Sequence, residues 1–122
     1  MNYSKLIGIP FQYGGRGPDS FDCYGLLMHL YLQNGIELPD YNKVSDASTI
    51  AAMMTSALPL WKRCGLKPGV ALMFKLPMTT HVGYYLGNDR FIHTWERSGG
   101  VLIERLSVWK RRLLGAYEYV GK

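Results

Sequence analysis

Read for the spacing of its apolar positions, the chain changes character near Pro59. Before it, Leu26, Leu27, Leu30 and Tyr31 recur at helical spacing from Cys23 until Gly35, a natural left-handed stop, and they predict a helix over 22–34. A second, weaker helix is expected over 47–58, with Ser45 and Asp46 as possible N-caps. Residues 3–7 read as a short helix or turn, and 36–41 as extended around Pro39. Residues 8–22 read as a loop, punctuated by Pro10, Gly14, Gly15, Gly17 and Pro18. After Pro59, short runs rich in Val, Tyr, Phe, Ile and Trp alternate with glycine-containing turns, the signature of an antiparallel meander. Strands are expected over 60–63, 70–75, 81–86, 90–95, 101–106 and 113–120, with a short helix over 107–112 before the last. Helices first and strands afterwards argue for an α+β fold, its first helix packed on one face of an antiparallel sheet of five to six strands.

Composition narrows the class without naming a function. With 122 residues, 48% of them hydrophobic, the chain can bury one modest core, so 1–122 is expected to be a single domain. The net charge of +5 favours anionic partners. Lys110-Arg111-Arg112 is the one dense basic run; no aromatic-interleaved groove or recognition motif accompanies it, so no nucleic acid is expected. Residues 1–7 lack the apolar stretch of a secretory signal, and no segment approaches the ~20 apolar residues of a membrane span, so the expectation is a soluble chain made in the cytoplasm. Cys23 and Cys64 are expected to be free thiols. Without a Cys-x-x-Cys pair and with three scattered histidines, neither metal nor cofactor is expected.

The chemistry starts at Asp22-Cys23-Tyr24-Gly25, which puts a cysteine where the glycine-rich loop enters the first helix. Unpaired backbone N–H groups in a first helical turn favour thiolate over thiol and can also hold an oxyanion. On that ground Cys23 is expected to alkylate faster than Cys64 near neutral pH. Gly25 costs ~1 kcal/mol relative to alanine inside a helix, which suits close approach of a strand beside the thiol.

A nucleophilic cysteine needs an imidazole within reach and a third group to orient it. His29 lies six residues after Cys23, about 240° around the helix, and points away. His81 and His93 lie on successive strands, and the hairpin between them decides whether they cooperate. A two-residue turn at Asn88-Asp89 puts them on opposite faces. A three-residue turn, Gly87-Asn88-Asp89, pairs Gly83 with His93 and puts both imidazoles on one face, within reach of each other; a bulge would alter this count.

Several ordered motifs carry a family resemblance. The run Gly8-Ile9-Pro10-Phe11-Gln12-Tyr13-Gly14-Gly15 through Phe21-Asp22-Cys23-Tyr24-Gly25-Leu26-Leu27, then Asn34-Gly35-Ile36-Glu37-Leu38-Pro39, Leu66-Lys67-Pro68-Gly69, His81-Val82-Gly83-Tyr84-Tyr85-Leu86-Gly87 and Phe91-Ile92-His93, resembles the NlpC family of papain-like cell-wall cysteine peptidases. The resemblance implies that Cys23 attacks an amide carbonyl and that its backbone N–H holds the oxyanion. It implies that His81 is general base and acid and that His93 orients His81. The implied substrate is a peptidoglycan stem peptide, cut between D-γ-glutamate and meso-diaminopimelate. Where the family commonly has a tyrosine after the proline, this chain has Phe11, so Phe11, Tyr13 and Tyr24 are expected at the substrate, with Tyr13 or Tyr24 supplying the missing hydroxyl. Tyr24 and Val70 also depart from the usual Ser and Asp. Leu38-Pro39-Asp40-Tyr41 and the segment from Glu104-Arg105-Leu106 to Leu114-Gly115-Ala116-Tyr117 look most like a branch found among phage tail proteins, which implies docking on tail hub or tip proteins in a virion. The alternative function is a structural tail component that keeps the fold with little hydrolysis.

Overall fold

The computed structural model describes residues 3–40, 60–77 and 79–121; the helix expected over 47–58 lies outside the described residues. The first helix, α1 (Cys23–Gln33), buries Leu26, Leu27, Leu30 and Tyr31, the apolar set that predicted it. Its N-cap is Asp22, whose carboxylate accepts from the backbone N–H of Gly25, and it ends at Asn34 before the left-handed Gly35. Residues 3–7 form turns rather than a helix.

Six strands follow: β1 (Trp61–Cys64), β2 (Ala71–Lys75), β3 (Thr80–Gly87), β4 (Arg90–His93), β5 (Leu102–Arg105) and β6 (Leu113–Tyr119). A short helix α2 (Leu106–Trp109), continued by a 3-10 turn over Lys110–Arg112, stands between the last two. All pairings are antiparallel, in the order β1-β6-β2-β3-β4-β5. The α+β expectation therefore holds.

The meander is correct only for β2 through β5. β6 inserts between β1 and β2, pairing Cys64 with Ala116 on one side and Leu72 with Ala116 on the other. The turn after β1 does not fold it back onto β2, so both strands satisfy their facing N–H and C=O groups through β6. Gly115 makes this crowding tolerable, since a Cβ there would meet the Arg63 guanidinium at 3.2 Å.

Alternation along the strands sorts the interior into two cores. Ala71, Met73, Val82, Tyr84 and Ile92 pack with α1, whereas Leu72, Phe74, Tyr85 and Phe91 pack with Leu106 and Trp109. The β3–β4 hairpin combines both turn options considered for it. Asn88 and Asp89, both at positive φ, make a two-residue turn closing Gly87 against Arg90. A register shift at Leu86 then restores the Tyr85–Phe91 and Tyr84–Ile92 pairs, which puts Gly83 level with His93. A Cβ on Gly83 would lie 3.0 Å from the Phe91 ring and 3.4 Å from Cβ of His93.

Candidate active site

The residues of the glycine-rich loop converge on the start of α1. Asp22 is buried, and its carboxylate binds the N–H of Gly25 at 2.6 Å, the N–H of Gly14 at 3.2 Å and the Arg16 guanidinium at 2.8 Å; Arg16 continues to Asp40 at 2.8 Å. This web fixes where the helix begins and so where Cys23 sits. The group that fills the space over Gly25 is the Gly15 carbonyl of this loop, not a strand as the sequence suggested.

Cys23 is 7% exposed, and the backbone N–H groups of Val82, Tyr24 and Cys23 interact with its sulfur. Burial nevertheless dominates and, with the Asp22 charge adding to it, pushes the thiol up to about 12, against the pull of those N–H groups. Burial thus works against the thiolate that the helix N-terminus favours. Contact with Val82 sets the sulfur beside the start of β3, one residue from His81.

His81 and His93 are both buried, and Nε2 of His81 lies 2.8 Å from Nδ1 of His93. Phe74, Phe91, Trp95 and Trp109 surround the pair, with ring centroids 4.3 Å apart for Phe91 and His93 and 5.0 Å for His93 and Trp109. Burial in this aromatic box drives His81 well below the usual imidazole range, with the neighbouring His93 adding to the effect, and takes His93 down to about 3. Both rings are neutral at neutral pH. Behind them, Nε2 of His93 lies 2.7 Å from Oε2 of Glu104, and the indole N–H of Trp109 donates to the same oxygen at 2.8 Å. Sequence reading did not single out Glu104 and Trp109. The signal available in the sequence was that Glu104 occupies an inward-alternating position of the strand paired with the histidine strand.

Cys23 and His81 open together onto a cleft of about 540 Å³. Phe11 and Tyr13 line one rim, their rings in edge contact at 5.0 Å, and the Tyr13 hydroxyl is hydrogen bonded to Glu96. Leu76, Pro77 and Trp95 give apolar walls, and Arg97 and Arg112 bring positive charge. Tyr24 is a correction: it is fully buried, its hydroxyl donates to the Pro39 carbonyl at 2.6 Å, and it does not line the cleft. The first helical turn carries the Tyr24 ring into the core while Cys23 faces out, which a reading of adjacent residues could not separate. His29 contacts Gln33 and the Phe21 ring, away from the cleft. Cys64 ends β1 as a free thiol. Among the described residues no group of three or more His, Cys, Asp or Glu side chains could hold a metal ion, and no helix is long and apolar enough to cross a membrane.

A buried thiol that shares one cleft with a buried imidazole, itself hydrogen bonded to a second, is equipped for acyl transfer. The model of the NlpC/P60 family matches residues 8–118. A probable endopeptidase p60 of Listeria seeligeri is 31% identical over 114 residues, covering 91% of this chain and 20% of that protein. The Escherichia coli K12 murein DD-endopeptidase MepS/murein LD-carboxypeptidase is 28% identical, covering 90% of this chain and 55% of that one. The chain thus spans a fifth to about half the length of these relatives. Among solved structures, NlpC1 of Trichomonas vaginalis superposes with a TM-score of 0.72 at 23% identity, over 98% of this chain and 42% of that one.

Proposed function

The chain belongs to the NlpC/P60 family, and from that membership we propose that it is a cysteine endopeptidase acting on the stem peptides of peptidoglycan. The observation that carries this reading is the meeting of Cys23 and His81 at one cleft, with His93 hydrogen bonded behind His81 at 2.8 Å. In this reading His81 takes the thiol proton as the sulfur attacks the amide carbonyl, because neither group is charged at rest. His81 then returns the proton to the leaving amine, and water releases the acyl-enzyme by the same route. The backbone N–H of Cys23, at the open first turn of α1, stabilises the tetrahedral oxyanion. His93 holds the His81 ring in register, and the aromatic box keeps bulk water from the pair.

Arg97 and Arg112 line the cleft beside Asp22 and Glu96 among apolar walls, and the chain carries +5 overall. The two guanidiniums suit the D-γ-glutamyl–meso-diaminopimelate bond as the one cut, since carboxylates flank it on both sides. Phe11 and Tyr13 form the rim the stem passes over. The motifs shared with the tail-protein branch support delivery on a phage tail, docked to hub or tip proteins.

The decisive experiment is incubation of the protein and its Cys23→Ala variant with meso-diaminopimelate muropeptides, with products read by mass spectrometry. Cleavage at the γ-glutamyl bond by the wild type alone is expected. Cleavage that survives loss of Cys23 overturns the mechanism, and cleavage by neither favours the structural role. Absence of the protein from purified virions overturns the tail assignment.

A further inference from the structure

We infer that Glu104 is a positioning residue that sets the tautomer of His81 through His93, so that the lone pair of His81 Nδ1, rather than an N–H, is presented on the cleft side. The inference rests on the reading of His81 as the base, and it adds a group that the triad does not contain.

The chain of reasoning runs from the outside in. The indole N–H of Trp109 can only donate, so Oε2 of Glu104, 2.8 Å away, accepts. Nε2 of His93 lies 2.7 Å from that same oxygen. Two bare acceptors at this separation repel, so Nε2 of His93 carries hydrogen. A neutral imidazole has one N–H, which leaves Nδ1 of His93 bare. Nε2 of His81, 2.8 Å from it, must then be the donor. With its single hydrogen on Nε2, neutral His81 has Nδ1 bare, and Nδ1 is the nitrogen not committed to the buried side. His81 lines the cleft together with Cys23. Reversing any one bond in the series reverses all of them, and a carboxylate, which can only accept, forbids that.

The fold builds this arrangement into one face of the sheet. Glu104 on β5 pairs with Phe91 on β4, and His93 with Leu102, so Glu104 and His93 are diagonal neighbours on the same face. Trp109 reaches the same oxygen from α2, four residues beyond the end of β5. Phe91 and Trp109 pack on His93, with centroids at 4.3 and 5.0 Å, and close off water as an alternative partner. The Glu104 side chain is 32% exposed, so its charge keeps contact with solvent while the ring it binds is fully buried. When His81 accepts the thiol proton, the resulting cation gains a carboxylate at the far end of the hydrogen-bond series, in a box that otherwise contains aromatic rings alone.

Two measurements test this. Long-range proton–nitrogen correlation spectra of the 15N-labelled protein distinguish bare from protonated ring nitrogens without substrate. Both His81 and His93 are expected as the Nε2–H form in the wild type; His81 as the Nδ1–H form overturns the inference. Glu104→Leu is expected to mix the tautomers and lower kcat by about 10²-fold or more with little change in KM, since an imidazole with the wrong nitrogen protonated cannot act as the base. Glu104→Gln, whose amide oxygen still accepts, is expected to recover the Nε2–H tautomers and part of kcat. Wild-type tautomers retained in Glu104→Leu, or equal loss in both variants, overturns it. Because the spectra need no hydrolysis, a protein that cuts no muropeptide yet shows these tautomers would sink the peptidase reading and leave this one standing.

Discussion

The carbonyl oxygen of Gly15 lies where a side chain on Gly25 would have to go, 2.0 Å from the position of a Cβ there. The obstacle is backbone on both sides, so neither partner can rotate away. Gly25→Ala is therefore expected to destabilise the fold by on the order of 3 kcal/mol, an overpacking cost at the upper end of the usual range. Hydrolysis should fall further than stability does, because the shift occurs in the first turn beside Cys23. Urea unfolding and muropeptide turnover, measured below the unfolding midpoint, check both.

The two free cysteines should separate under alkylation in the order opposite to that expected from helix position. Cys23 is 7% exposed and its thiol is pushed up to about 12 by burial, whereas Cys64 is only partly buried at the end of β1, its thiol raised less, again by burial first. At pH 8, without substrate, Cys64 is expected to react with iodoacetamide about tenfold faster. Asp22→Asn keeps an N-cap and removes a negative charge that raises Cys23, so its Cys23 rate should increase. Peptide mapping after timed labelling decides; a faster Cys23 in the wild type contradicts the buried neutral thiol.

Stability should fall on both sides of neutrality. Below about pH 6.5 the unfolded chain protonates His81 and His93 while the folded one, with His93 near 3 and His81 also lowered, does not. The unfolded state then binds more protons, and stability is lost as pH drops, by about 1.4 kcal/mol per pH unit for each such histidine. Above about pH 9 the sign reverses through Cys23, which stays protonated in the fold up to about 12 but ionises when unfolded. Chemical denaturation across pH shows both limbs. His93→Asn should flatten the acid limb, and Cys23→Ala the alkaline one.

Thr94 is fully buried, and its hydroxyl, at the wall of the cleft, has no hydrogen-bond partner among the described residues. An unpartnered buried hydroxyl costs about 1–3 kcal/mol. Thr94→Val should raise the unfolding free energy by about 1 kcal/mol, because the buried hydroxyl without a partner is gone. Thermal unfolding reads the effect; no gain in stability would show that the hydroxyl is already satisfied.

What the sequence conveyed depended on how local each cause was. The helix at Cys23 and all six strands came from short-range periodicity, and their ends shifted by only a residue or two. The pairing of Gly83 with His93 was also legible, although by a different route: a two-residue turn plus a bulge at Leu86 gives the same parity as a three-residue turn. Insertion of β6 between β1 and β2 was not legible, because it depends on which distant backbone edges remain unpaired after the local hairpins form. Tyr24 was misplaced and Glu104 missed for a related reason. One turns into the core next to the nucleophile, the other approaches the histidines from a different strand, and neither fact follows from neighbours in sequence.

The place of β6 also sets an order of assembly. Strands β2 to β5 can zip as successive hairpins, each closing over a short connection, but β1 has no strand to lie against until residues 113–119 arrive. Until then both β1 and the outer side of β2 present unpaired edges, the kind of surface that captures other chains. Docking of this last strand thus joins β1 to the β2–β5 half-sheet and covers the open edge of β2.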